Sequence, residues 1–203
     1  MSAKLSNKDS RQTLGARNVI PALTIAAGFV LLSCGPAHAM HISEGILPVP
    51  WALFWFVLAI PFVILGLRNL KERSLNEPHL KALVGLVGAA VFVISCMPIP
   101  VPTAGTCSHP CGTGMAAILI GPTLSVLVAS VALVLQALFL AHGGLTTLGA
   151  DIVSMGVAGS FAGYGVFLLF RKLGASWIVA AFAAGLIGYI VGIFASLLVC
   201  MYI

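Results

Sequence analysis

From Trp51 to Ile203 the chain is a succession of long apolar runs with very little charge between them. A helix needs roughly 20 apolar residues to cross a bilayer core, with about 17–25 tolerated. Turns and charges delimit six runs: Trp51–Leu67, Leu80–Met97, Pro110–Gly121, Thr123–Ala141, Ile152–Phe170 and Trp177–Ile203. Only 7% of the 203 residues are charged, against about 25% in a soluble domain. Too few ionisable groups exist to build a water-facing surface. That excludes a soluble globular enzyme, a nucleic-acid binder and a disordered chain. The expected fold class is all-α, a polytopic transmembrane helical bundle of about six membrane segments.

The first 39 residues read differently. Lys4, Lys8, Arg11 and Arg17 form a basic stretch, Val19–Leu32 is apolar, and Ala37-His38-Ala39 precedes Met40. That order is a secretory signal with its peptidase site. The expected organisation is a cleavable signal peptide at 1–39 followed by one membrane domain at 40–203. Cleavage removes four of the ten Lys and Arg and one of the five acids, so the formal charge falls from +5 to +2. The basic excess therefore belongs mostly to the leader. Leu31-Leu32-Ser33-Cys34 offers lipid attachment at Cys34 as a rival, and an uncleaved anchor is another.

The third run is too short for a comfortable span, and it ends at Gly121-Pro122, a pair that breaks helices. A short or re-entrant helix is expected there. With Met40 outside, the first run brings Arg68, Lys71, Arg73 and Lys81 to the cytoplasm, and Arg171 and Lys172 arrive on the same side. The outer loops carry no Lys or Arg, as the positive-inside rule requires. This holds only if Gly121-Pro122 is a real turn. The expected location is the cytoplasmic (inner) membrane, multi-pass, with an extracytoplasmic mature N-terminus. Gly159/Gly163 and Ala184/Gly188/Gly192 have the spacing that lets helices approach closely. Pro98-Ile99-Pro100-Val101-Pro102 cannot be helical and extends the chain into the bundle mouth.

Ionisable groups beside a membrane core suggest function. They are His41, Glu44, His79, His109, His142 and Asp151. His79, between Glu77 and Lys81, reads as a solvated loop residue. Cleavage before Met40 would free an α-amine. That amine, the backbone nitrogen of His41 and its imidazole can close two fused chelate rings on one metal ion, and His109 could add a fourth nitrogen. Such a field suits Ni²⁺, Cu²⁺ and Co²⁺ and rejects oxygen-seeking Mg²⁺ and Ca²⁺. It weakens in acid, because amine and imidazole must be deprotonated. The alternative is that His41 and His109 are interfacial histidines bonded to loop backbone. Cys107 and Cys111 flank His109 and admit three readings: a local disulfide, soft metal ligands, or buried packing. Glu44, Ser108 and His142 are candidates for hydrogen bonding to the ligands.

Three blocks together carry a family resemblance. Met40-His41-Ile42-Ser43-Glu44-Gly45-Ile46-Leu47-Pro48 follows the signal, Gly105 to Gly114 with Ala116 to Pro122 forms a second block, and Gln136-Ala137-Leu138 with Ala141 to Ala150 a third. The sequence resembles the CbiM/NikM family, the substrate-binding membrane subunits of energy-coupling factor (ECF) transporters for cobalt and nickel. The resemblance implies a metal site at Met40, His41 and His109, with Co²⁺ or Ni²⁺ as transported substrate and no organic cofactor. It also implies a transmembrane coupling subunit, two cytosolic ATPase subunits and often a small accessory membrane protein as partners. The chain would then be no enzyme, since the partner ATPases hydrolyse ATP, and no G-x-x-x-x-G-K-[ST] loop is present. The Cys-Ser-His-Pro form of the second block leans toward cobalt, for cobalamin synthesis, over nickel. Cys111 stands where similar sequences have Thr. After Arg171 the resemblance fades, and family members usually carry a further apolar helix. Two other classes compete: an accessory subunit with incidental histidines, and an intramembrane metalloenzyme, which lacks its H-E-x-x-H motif.

Overall fold

In the computed structural model, the described residues are 42, 44–97, 99–101, 106–108, 110–140 and 142–201, with backbone alone at 99–101 and 106–108. The expected leader, with Cys34, and the expected ligands Met40, His41 and His109 lie outside them.

Helix α1 spans Val49–Asn76, with Pro50 in its first turn, where a missing N–H costs nothing. It runs nine residues beyond the expected end at Leu67. The extension is rich in Leu, Lys, Arg and Glu, all good helix formers, and contains neither Gly nor Pro. The change in polarity there marks the end of the apolar solvent, not of the helix. Glu77-Pro78 stops it, because a residue before proline is pushed out of the helical region. His79 is exposed, as expected, immediately before α2, Leu80–Ser95.

The proline run is extended as anticipated, and it also pairs. Strand β1 (Ile99–Val101) is antiparallel to β2 (Thr106–Ser108), with Ile99 opposite Ser108 and Val101 opposite Thr106. The short helix α3, Thr113–Ile120, then ends at Gly121, where φ is 93°. Only glycine takes that conformation cheaply. Pro122 opens α4, Pro122–Phe139. The expected break between two helices is therefore real.

The next rod has three joined pieces: α5 (Leu148–Asp151), a π turn (Ile152–Ala158) and α6 (Gly159–Lys172). The wide turn leaves backbone carbonyls poorly shared, and the Thr113 hydroxyl donates to one of them, Met155 O, at 3.2 Å. Helix α7 is Trp177–Met201. Four helices are long and apolar enough to cross a membrane: α1, α4, the rod Leu148–Lys172 and α7. Large apolar side chains such as Phe54, Phe139 and Phe182 are 52%, 75% and 72% exposed. A surface of that kind is tolerated against lipid, not water. The fold is the expected polytopic helical bundle.

Helix α4 lies at its centre, with Leu124, Ser125, Val126, Ala129 and Gln136 among its buried residues. Small residues set the closest crossings. A Cβ on Gly163 would fall 2.8 Å from Gly114 Cα, and one on Gly159 would fall 2.9 Å from Thr113 Oγ1. The spacing read from sequence thus marks the α3–α6–α7 crossing. Buried hydroxyls join these helices: Ser125 Oγ with Ser160 Oγ at 2.9 Å and with Thr113 O at 2.8 Å, and Ser196 Oγ to Ser154 Oγ at 2.9 Å. Such bonds average about 0.6 kcal/mol each in membrane bundles.

The two ends of the bundle differ in chemistry. At one end, Arg73 Nη1 donates to Ile120 O at 3.0 Å and Asn69 Nδ2 to Thr123 Oγ1 at 2.6 Å. The α3–α4 turn is thereby fastened to the cationic end of α1. The opposite end holds Ile42, Glu44 and the start of α5.

Candidate functional site

Residues just before α1 fold back onto the loop that leads into α5. The side chains of Ile42 and Leu47 are buried in a cluster with Ala52, Ala150 and Val199, and Trp55 packs against it. Apolar burial fixes where the segment lies, and hydrogen bonds fix its register. The Ile42 N–H donates to Asp151 Oδ1 at 3.1 Å, and the Thr147 hydroxyl donates to Ile42 O at 2.6 Å. Both polar groups of one peptide residue are held by side chains more than 100 positions away, on one turn of α5.

A further contact lies beside it. The Thr146 N–H donates to Glu44 Oε2 at 3.2 Å. Hydrogen bonds from the Thr146 side chain and then its backbone hold the Glu44 carboxyl below the usual carboxylate range. The approach requires Gly144, where an added Cβ would sit 2.6 Å from Glu44 Oε2 and 2.8 Å from Glu44 Cα. Gly149 is tighter still: its Cβ would fall 2.5 Å from Phe56 N in α1. Glycines in the third sequence block thus serve backbone-to-backbone contact.

Of the expected partners to a metal ligand, Glu44 joins this end of the bundle. His142 is half-buried, and its N–H donates to Gln136 O at 3.2 Å, closing the turn after α4. Ser108 is described by its backbone alone, in β2 opposite Ile99. Cys111 is a free thiol packed against the Ala59, Val126, Leu133, Ile152 and Met155 core. For Cys111, the described contacts are those of a packing residue. Among the described residues no three His, Cys, Asp or Glu side chains gather as a metal site.

Sequence reasoning named Asp151 only as an ionisable group beside the membrane and gave Thr147 and Gln136 no role; all three prove structural here. Thr147 and Asp151 stand four apart at a helix start, so they share a face; that spacing was the available signal. Gln136 is 1% exposed; its Nε2 donates to Ser95 Oγ at 2.7 Å, and its Oε1 has no partner among the described residues. It lines a cavity of about 10 Å³ with Ser95, Cys111 and Thr113, room for at most a single water. A separate cavity of about 350 Å³ between Trp51, Trp55, Val153 and Leu198 is almost wholly apolar and offers a metal ion no ligand set.

The fold and this end define a class. Two solved structures share the architecture: a truncated transition-metal transporter, with TM-score 0.71 and 25% identity over 79% of this chain and 73% of that one, and a second transition-metal transporter, with TM-score 0.65 and 28% identity over 78% and 67%. The class is a polytopic membrane component of the transition-metal transporter fold.

Residues 41–202 match the family model described as the cobalt uptake substrate-specific transmembrane region, and the chain belongs to that CbiM family. It is 68% identical over 157 residues to the cobalt transport protein CbiM of Geobacter sulfurreducens, covering 77% of this chain and 45% of that protein. Against the CbiM of Sorangium cellulosum it is 62% identical over 146 residues, covering 72% and 65%, and against that of Chlorobium limicola 46% over 177 residues, covering 87% and 67%. The chain thus spans about half to two thirds of the length of these relatives. The family match continues past Arg171, where the resemblance read from the sequence fades. Helix α7 carries small-residue spacing in an apolar background rather than a polar motif, which is why the resemblance faded there.

Proposed function

We propose that this chain captures Co²⁺ at the extracytoplasmic mouth of the bundle, as the substrate-binding membrane subunit of an ECF-type importer. Residues 1–39 are removed as a signal peptide in this reading. The Met40 amine, the His41 backbone nitrogen and imidazole, and His109 then bind the ion. The observation that supports it most is the double hold on Ile42 by Asp151 and Thr147. A buried, register-fixed residue directly after the proposed donors is what a chelate built from a chain terminus needs, because termini otherwise fray.

The chemistry follows from the donors. Nitrogen ligands favour d-block cations over Mg²⁺ and Ca²⁺. The names of the relatives favour cobalt among them. ATP hydrolysis belongs to two cytosolic partner subunits, coupled through a transmembrane partner, with a small accessory membrane protein in some assemblies. The whole capture subunit moves relative to its coupling partner to release the ion inside, and the cobalt supplies cobalamin synthesis.

Equilibrium titration of the detergent-purified chain tests this. Co²⁺ should bind at one site, Mg²⁺ should not compete, and His109→Ala should lose at least about tenfold in affinity. Undiminished Co²⁺ binding by His109→Ala would refute the assignment.

A further inference from the structure

We infer that Asp151 is a positioning residue for metal capture: with Thr147 it fixes the backbone at Ile42, the residue that directly follows the proposed nitrogen donors. The inference rests on the capture reading above and adds a residue that touches neither ion nor ligand.

Three observations carry it. Asp151 is 2% exposed, and the hydrogen bond that its carboxyl group accepts comes from the Ile42 N–H. A buried polar group is costly unless it is hydrogen-bonded, and here the carboxyl oxygen of Asp151 and the Ile42 N–H satisfy one another. Thr147 completes the hold from the carbonyl side at 2.6 Å, so turning either flanking peptide plane breaks a hydrogen bond. The platform itself is stiff: α5 lies against the α1 backbone at Gly149, and Ala150 and Thr147 are fully buried. A segment held this way lowers the ordering cost that metal binding would otherwise meet, which is preorganisation.

The experiment is Co²⁺ titration of the full chain, purified from membranes in detergent, with the d–d absorption of the bound ion recorded at saturation. Asp151→Ala should bind about 30-fold more weakly, which corresponds to about 2 kcal/mol for a buried N–H left without its acceptor. Asp151→Asn keeps an acceptor for the Ile42 N–H and should stay within about threefold of wild type. Thr147→Val should weaken binding about fivefold. All variants should show the wild-type absorption spectrum at saturation, because the donor set is untouched. If Asp151→Ala does not fold, the Asn and Val variants carry the test. Wild-type affinity in Asp151→Ala or Thr147→Val, no rescue by Asn, or an altered spectrum would each overturn the positioning role. A wild type that binds no Co²⁺ would instead refute the capture reading, and the inference with it.

Discussion

Gly149→Ala tests whether the α5 platform is as closely set on α1 as the structure has it. The added methyl would fall 2.5 Å from Phe56 N, 2.7 Å from Trp55 C and 2.8 Å from Phe56 Cα. Ordinary contact begins at 3.4 Å, so the shortfall is 0.9 Å. All three neighbours are helix backbone, which cannot rotate aside as a side chain can. Relief requires the rod from Leu148 to move away from α1. Overpacking of this kind costs about 1–3 kcal/mol, and rigid neighbours put this site at the upper end. At about 2–4 °C per kcal/mol for a chain of this size, thermal unfolding in detergent should fall by about 6–12 °C. Gly85→Ala is the control: nothing lies within 4 Å of its Cβ, so helix propensity should leave it neutral or slightly stabilised. If Gly149→Ala unfolds within about 2 °C of Gly85→Ala, the close approach is wrong. The platform that holds Ile42 would then be wrong too.

Further outcomes follow from other contacts. Arg73→Met should cost about 1–2 kcal/mol by leaving the Ile120 carbonyl uncapped, with Arg73→Lys recovering part of it; equal unfolding of Met and Lys variants would contradict the cap. The Glu44 carboxyl is held below the usual range, so the stability it adds is present above the ordinary carboxylate pKa and is lost as pH falls through its lowered folded value. The protection factor of the Thr146 amide, taken against the intrinsic exchange rate at each pH, should therefore be high at neutral pH and fall on acidification below pH of about 4, whereas Glu44→Ala should give little protection throughout. Protection that is independent of pH in wild type would count against that contact. Gly163→Leu should prevent the α3–α6–α7 crossing, because its Cβ already meets Gly114 Cα at 2.8 Å; a well-folded monomer with unchanged melting would contradict it.

Much of this molecule was legible because lipid leaves few options. Apolar runs bounded by charge or Gly-Pro read as helices, and a helix lies on each of the six expected runs, four of them long enough to cross a membrane, with the break at Gly121-Pro122 in place. The cation count also pointed to one end, and Arg73 capping Ile120 ties the α3–α4 turn to that end. The helical tail from Arg68 to Asn76 was missed because hydropathy reports solvent, while helix continuation depends on propensity and breakers. The β1–β2 pairing was missed because three prolines within and beside a three-residue strand argue against a ladder, and only tertiary context reverses that. At the site, residue chemistry singled out Glu44 and His142 but not Thr147, whose role is to accommodate a peptide group from elsewhere. Long-range backbone capture leaves little trace in local sequence beyond a four-residue spacing.

The central claim is that a chain terminus at Met40 supplies a metal-binding nitrogen. It is tested most directly by calorimetric titration with Co²⁺ of two proteins, one beginning at Met40 and one carrying a single additional residue before it. The extended protein should lose affinity by at least about 100-fold, since its terminal amine becomes a peptide nitrogen displaced from the chelate. Equal affinity in the two proteins would contradict the account.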